Sequence, residues 1–190
     1  MYWIMKEVGR HASLVLFATV AVTVAMATDT WVSSANAQPQ DTFLWITSEP
    51  GDYIGGGQSL IFTPNDSQFS SMVSQDEREI GVSVFLPGSF WFLHLAAPAG
   101  QQLSPGTYDG ATRWPFQEPS TPGLDFSGDG RGCNTLTGRF EVLEAVYAAF
   151  GYVERFHATF EASAALRGSG ACVVRGDMDC QSATPAAPQS

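Results

Sequence analysis

The clearest regularity in the chain lies at Ile80 to Leu86, where Ile80, Val82, Val84 and Leu86 alternate with Gly81, Ser83 and Phe85. A period of two over seven residues predicts a half-buried strand. Pro87-Gly88 then breaks the chain in the manner of a hairpin, and Ser89 to Leu95 (SFWFLHL) follows with apolar residues on both faces. That pattern predicts a central strand of a sheet covered on both sides. Shorter apolar runs precede this pair: Phe43 to Ile46, ended by Pro50-Gly51-Asp52; Gln58 to Thr63, ended by Pro64-Asn65-Asp66-Ser67; and a weaker one at Phe69 to Ser74. Downstream, Ser104 to Tyr108 predicts a turn entering a strand that Ala111 to Phe116 continues past Asp109-Gly110, and Leu124 to Phe126 lies beyond a loop bracketed by Pro119 and Pro122. Turn signals about every ten residues predict an all-β domain, either a β-sandwich or a partly closed barrel.

Two stretches complicate that picture. Ser127 to Phe140 (SGDGRGCNTLTGRF) gathers Gly128, Gly130, Gly132 and Gly138, which predicts a polar, sharply folded segment with positive φ at several points. From Arg139 to Arg167 the residues Phe140, Leu143, Tyr147 and Phe150 stand at helical spacing, while Phe140, Val142 and Val146 share a strand face. Gly151 interrupts any long helix, and Tyr152, Phe156, Ala158 and Phe160 fit a strand, so two strands are the expectation.

The first 37 residues read as a signal peptide. Lys6 and Arg10 form a basic start, Leu14 to Ala27 is apolar, and Ala35-Asn36-Ala37 offers a cleavage site before Gln38. Ala25-Met26-Ala27 is a poorer alternative site. The run is shorter than the roughly 20 residues a spanning helix needs, so no stable membrane anchor is expected from it. The expected organisation is therefore 1–37 signal peptide, 38–180 β-domain and 181–190 disordered tail, with the product periplasmic or secreted. The leader holds two basic and two acidic residues, so the formal charge of −10 stays with the remainder, whose basic residues are all Arg. Such a surface repels phosphate backbones, which argues against nucleic acid as a partner.

Candidate chemistry is sparse. Arg113, Trp114 and Phe116 lie in a loop-rich region and are the best-placed exposed patch for a protein or glycan ligand. Trp45, Trp91, Tyr53 and Tyr108 could join an aromatic platform, although aromatics in a sandwich are more often core. Asp125-x-Ser127-x-Asp129-Gly130 resembles the first half of a calcium loop, but the twelfth position is Leu136 rather than Glu, and a polar turn explains the same letters. No other cofactor is implied. His94 and His157 are the only histidines after the leader, both in strand-patterned segments, with no G-x-S-x-G elbow. Carboxylates pair in sequence at Glu141 with Glu144 and at Asp177 with Asp179, but sequence neighbours do not make the cleft that glycoside hydrolysis requires. Of Cys133, Cys172 and Cys180, an oxidising compartment leaves one thiol over. Loop entropy favours closing Cys133–Cys172 (roughly 3.9 kcal/mol) over Cys172–Cys180 (roughly 2.6 kcal/mol), and spacing alone does not decide between them.

At Gly51-Asp52-Tyr53-Ile54-Gly55, Pro105-Gly106-Thr107-Tyr108, Gly128 to Phe140 and Val142 to Tyr147 the chain is similar to a family of poorly characterised bacterial exported proteins carrying an all-β domain. The resemblance covers about Gly51 to Glu161. It implies a β-sandwich-like fold and a hairpin over Arg139 to Glu161, and it implies no activity. Similar chains place a cysteine shortly after the position of Phe160-Glu161, where this one has Ala162-Ser163-Ala164 and delays it to Cys172. Cys133–Cys172 is then the substitute bridge. The functional expectation is a non-catalytic exported binding or structural module, with a secreted hydrolase of unrecognised site as the alternative.

Overall fold

A computed structural model describes residues 42–148, 151–165 and 171–181. Their regular structure is almost all strand: β1 (Phe43–Ser48), β2 (Ser59–Phe62), β3 (Gln68–Val73), β4 (Glu79–Leu86), β5 (Ser89–Ala96), β6 (Gly106–Arg113), β7 (Gly123–Gly128), β8 (Arg131–Gly132), β9 (Thr137–Ala148), β10 (Tyr152–Ala165) and β11 (Ala171–Gln181). They form one sheet in the order β2-β1-β11-β10-β9-β6-β7-β5-β4-β3, with the short β8 hydrogen-bonded to β7. The sheet curls into an open half-barrel, the partly closed form of the all-β fold expected. The expected signal peptide lies outside the described residues. β11 reaches one residue into the segment expected to be a disordered tail, and 182–190 lie outside.

Alternation decides which side of each strand faces the hollow. Ile80, Val82 and Val84 of β4, Trp91, Leu93 and Leu95 of β5, Leu124 and Phe126 of β7, and Phe156, Ala158 and Phe160 of β10 all point inward and are buried. Trp91 stacks on Phe126 at 5.6 Å between ring centres, and Phe126 meets Phe160 at 5.2 Å. These rings are each fully or almost fully removed from water and form the middle of the core. Register shifts in β6 at Gly110 and in the β9–β10 pair help bend the sheet.

The ambiguous stretch is a hairpin, β9 and β10 joined through a turn that includes Gly151 at φ 78°. The glycine-rich segment is less loop than expected. Gly128 is the last residue of β7, where the Trp91 ring leaves no room for a Cβ, and Gly138 lies inside β9, where the neighbouring Glu161 carbonyl leaves none. Only Asp129 and Gly130 take positive φ there, at 51° and 74°. β5 also departs from expectation. Only its inner face is core; Phe90, Phe92 and His94 look outward and are partly exposed.

One buried carboxylate, Asp52, ties the loop after β1 to β11. Its Oδ1 accepts the amides of Ile54 (2.9 Å) and Gly55, and its Oδ2 accepts that of Val173 (2.7 Å).

Candidate binding site

The site grows from the end of β6. Backbone bonds from Thr112 N to Pro122 O (3.0 Å) and Trp114 N to Leu124 O (3.1 Å) hold that end beside the start of β7. Phe116 N then bonds to Arg113 O (2.9 Å), folding the chain into a turn across a cis Trp114–Pro115 peptide. This turn throws Trp114 and Phe116 to different destinations.

Trp114 lies back on the sheet. Its ring stacks on His94 with centres 3.9 Å apart and planes 3° from parallel, and its Nε1 donates to Glu79 Oε2 at 2.8 Å. Gly81, opposite His94 on β4, leaves the space, since a Cβ there would stand 3.1 Å from the imidazole. Burial holds His94 below its ordinary protonation range, partly offset by the Glu79 charge. Glu79, the first residue of β4, is thus a fixed partner of Trp114. Arg78 next to it donates to the Ala97 carbonyl at 3.2 Å.

Phe116 swings outward and is 73% exposed. The Arg113 guanidinium stands 5.1 Å from its ring centre, a cation–π contact. Arg113 Nε lies 3.8 Å from Asp125 Oδ1, an ion pair too long for a hydrogen bond, and Nη1 reaches Asn134 O and Oδ1 at 3.5 Å. Burial raises the Asp125 carboxyl, and the Arg113 charge works against that rise. Together Thr112, Arg113, Phe116, Asn134, Thr135 and Leu136 line an open groove of about 470 Å³. Of the expected patch, Arg113 and Phe116 share this groove and Trp114 supports the turn from beneath. Asn134 and Thr135 come from the glycine-rich segment, and only the β6–β9 pairing brings them here.

The other candidates fall elsewhere. Asp125 lies in β7, whereas Asp129 follows the last residue of that strand, in the β7–β8 turn at φ 51°. Asp129 Oδ1 accepts Ser89 Oγ (2.8 Å) and Phe90 N (3.0 Å), while its Oδ2 faces Arg131 at 3.6 Å. Asp125 thus faces Arg113 while Asp129 is bonded to Ser89 and Phe90, and no group of three or more His, Cys, Asp or Glu side chains that could hold a metal ion is gathered among the described residues. His157 Nε2 lies 2.9 Å from Asp177 Oδ1 and its Nδ1 4.0 Å from Asp179 Oδ2, on the outer face of β10 and β11. Glu144 pairs instead with Arg155 at 2.7 Å. Of the remaining aromatics, Trp91 is core, Tyr108 stacks on Phe140, and Trp45 and Tyr53 are exposed at separate places.

Cys180 is a free thiol, buried against the core, with its ionisation pushed up by that burial. Cys133 is buried as well. The side chain of Cys172 lies outside the described residues, and so does the expected Cys133–Cys172 pairing. With Cys180 free, a Cys172–Cys180 bridge is excluded.

No family model matches the chain, and neither does any curated protein or solved structure.

Proposed function

We propose that the chain, once exported and cleaved near Ala37, is a non-catalytic β-domain that binds a protein or glycan in the periplasm or outside the cell, with its ligand seated in the Arg113–Phe116 groove. The observation that carries this reading is the exposed Phe116 ring, held in place by a guanidinium and bordered by the amide of Asn134 and the hydroxyl of Thr135. An apolar surface with a few oriented polar groups is the usual composition of a ligand site. The resemblance to exported all-β proteins bears on the export alone. A Cys133–Cys172 bridge belongs to the proposal and suits an oxidising compartment.

The rival reading, a secreted hydrolase, has one observation in its favour: the His157–Asp177 contact orients an imidazole. A general base also needs a nucleophile within hydrogen-bond reach. The second ring nitrogen of His157 faces Asp179 instead, and among the described residues neither histidine bonds to a hydroxyl or thiol.

The test is to apply the labelled mature chain to arrays of neutral and acidic oligosaccharides and of peptides. Any bound probe is then titrated against Phe116→Ala and Arg113→Ala. Each substitution is expected to weaken binding by roughly fivefold or more, with the melting temperature unchanged for Phe116→Ala and lowered for Arg113→Ala, which leaves Asp125 unpaired. Equal affinities would remove the groove from the reading. Turnover in an esterase and glycosidase panel, abolished by His94→Ala or His157→Ala, would replace it with the hydrolase.

A further inference from the structure

The outer face of β4 and β5 carries an aromatic cluster that the groove does not explain. Phe85 and Phe90 are opposite each other in the register, and Phe92 follows on the same face of β5. Phe92 packs edge-on to Phe85 at 5.9 Å and tilted against Phe90 at 5.6 Å, while Phe85 and Phe90 remain 43% and 40% exposed. The alternate positions of both strands already fill the core, so these rings contribute nothing to it. A contiguous apolar patch on the solvent side of a sheet marks an interaction surface.

What surrounds the rings narrows the partner. Across the sheet, Phe92 is paired with Ser83 on one side and Ser127 on the other, and Ser83 is paired in turn with Ser70. A ring thus sits in a row of hydroxyls that itself holds no charged residue, although Asp125, to which Ser127 hydrogen-bonds, stands opposite His94 in the next outward row and Asp129 accepts the Phe90 amide on the other side. Further along β5 the next outward position is His94, capped by Trp114, so the strip runs up to the turn that carries Phe116.

We propose that this strip is a platform for a neutral polysaccharide chain. A sugar ring offers an apolar C–H face to stack on aromatic rings and a rim of hydroxyls to exchange hydrogen bonds with rotating serine hydroxyls. An acyl chain would cover those serines without bonding them, which costs free energy. An acidic polymer would meet the field of a strongly acidic protein, in which the cations bordering the strip, Arg113 and Arg131, already face Asp125 and Asp129. The proposal rests on the binding reading above, and it names the class of ligand and a second set of residues that hold it.

The test is affinity electrophoresis of the mature chain in gels containing hydroxyethylcellulose, glucomannan or xylan. Polygalacturonate gels and phosphatidylcholine–phosphatidylglycerol vesicles serve as the alternatives. Retardation by at least one neutral polymer is expected, insensitive to high salt and weakened roughly tenfold in Phe85→Ser/Phe90→Ser. Both rings are more than half buried against Phe92, so that variant should melt below the wild type, and retardation is compared at a temperature where circular dichroism shows both folded. Should it not fold, aromatic ¹H–¹³C spectra of the wild type with cellohexaose, mannohexaose and xylohexaose supply the answer, since shifts of Phe85 and Phe90 are required. The platform is overturned by retardation that Phe85→Ser/Phe90→Ser leaves unchanged, by capture on vesicles alone, or by the absence of retardation in all three neutral gels. Peptide binding in the groove with no neutral-gel retardation would sink the platform and leave the groove standing. Silence on every array and gel would sink both.

Discussion

Gly138→Ala puts a single methyl group where β9 passes between β6 and β10. Gly138 is opposite Ala162 in one register and Ala111 in the other. A Cβ there would overlap the Glu161 carbonyl oxygen and come within 2.8 Å of Leu124 Cδ2. Two effects compete. Its φ lies outside the left-handed region, so alanine stiffens the unfolded chain and stabilises by about 0.4–1 kcal/mol. Against this, overpacking costs about 1–3 kcal/mol, and the obstacle here is backbone in the middle of a sheet, which gives less readily than a side chain. The clash wins by about 1–2 kcal/mol, or about 2–8 °C in melting temperature for a domain of this size. Gly132→Ala is the control from the same glycine-rich segment. Its Cβ would meet nothing closer than Ser127 Cβ at 3.4 Å, so it should be neutral or raise the melting temperature slightly. Calorimetry of the two variants beside the wild type decides the matter. A Gly138→Ala protein that melts with the wild type while Gly132→Ala falls would refute the register on which the site geometry depends.

Three further outcomes are expected. Asp52→Ala leaves the amides of Ile54, Gly55 and Val173 without their acceptor and should lower stability by on the order of 3 kcal/mol in urea titration, with Asp52→Asn recovering part of it. His94 is held below its ordinary value of 6.5 by burial, so the unfolded chain takes up that proton first. Stability should therefore fall as the pH drops through 6.5 and level off once the folded imidazole protonates, and His94→Phe should remove that part of the slope. Cys180 should resist Ellman's reagent in the native state at mildly alkaline pH and appear as a single thiol on denaturation without reductant; three thiols would rule out the Cys133–Cys172 bridge.

Most strands were legible because one face of each is core and the other is not, and period two survives in letters such as Ile80-x-Val82-x-Val84. β11 was not. Its inward set is Val174, Gly176, Met178 and Cys180, and Gly176 hides the pattern. That glycine is there because the Phe160 ring lies over it, a contact between strands that no local pattern reveals. The same limit governs the site. Arg113 and Phe116 stood out as a basic and an aromatic residue in a proline-bounded loop, but Trp114 meets a histidine twenty residues upstream, and Asn134 arrives through strand pairing. The doubly apolar look of β5 was misread as burial on both sides. The register across Pro87-Gly88 would have matched Phe85 with Phe90 and raised the alternative of an aromatic surface.

β1 and β11 run antiparallel side by side, and the Gln181 amide bonds to Thr42 Oγ1 at 3.1 Å, so the polypeptide enters and leaves this body at one point. Tension applied between those two positions would peel the pair apart one hydrogen bond at a time, instead of shearing all of them together, so the domain should yield to weak pulling however well it resists heat. The same closeness lets it be grafted into a host loop without spreading the host's ends, or rejoined head to tail and reopened at Gly88.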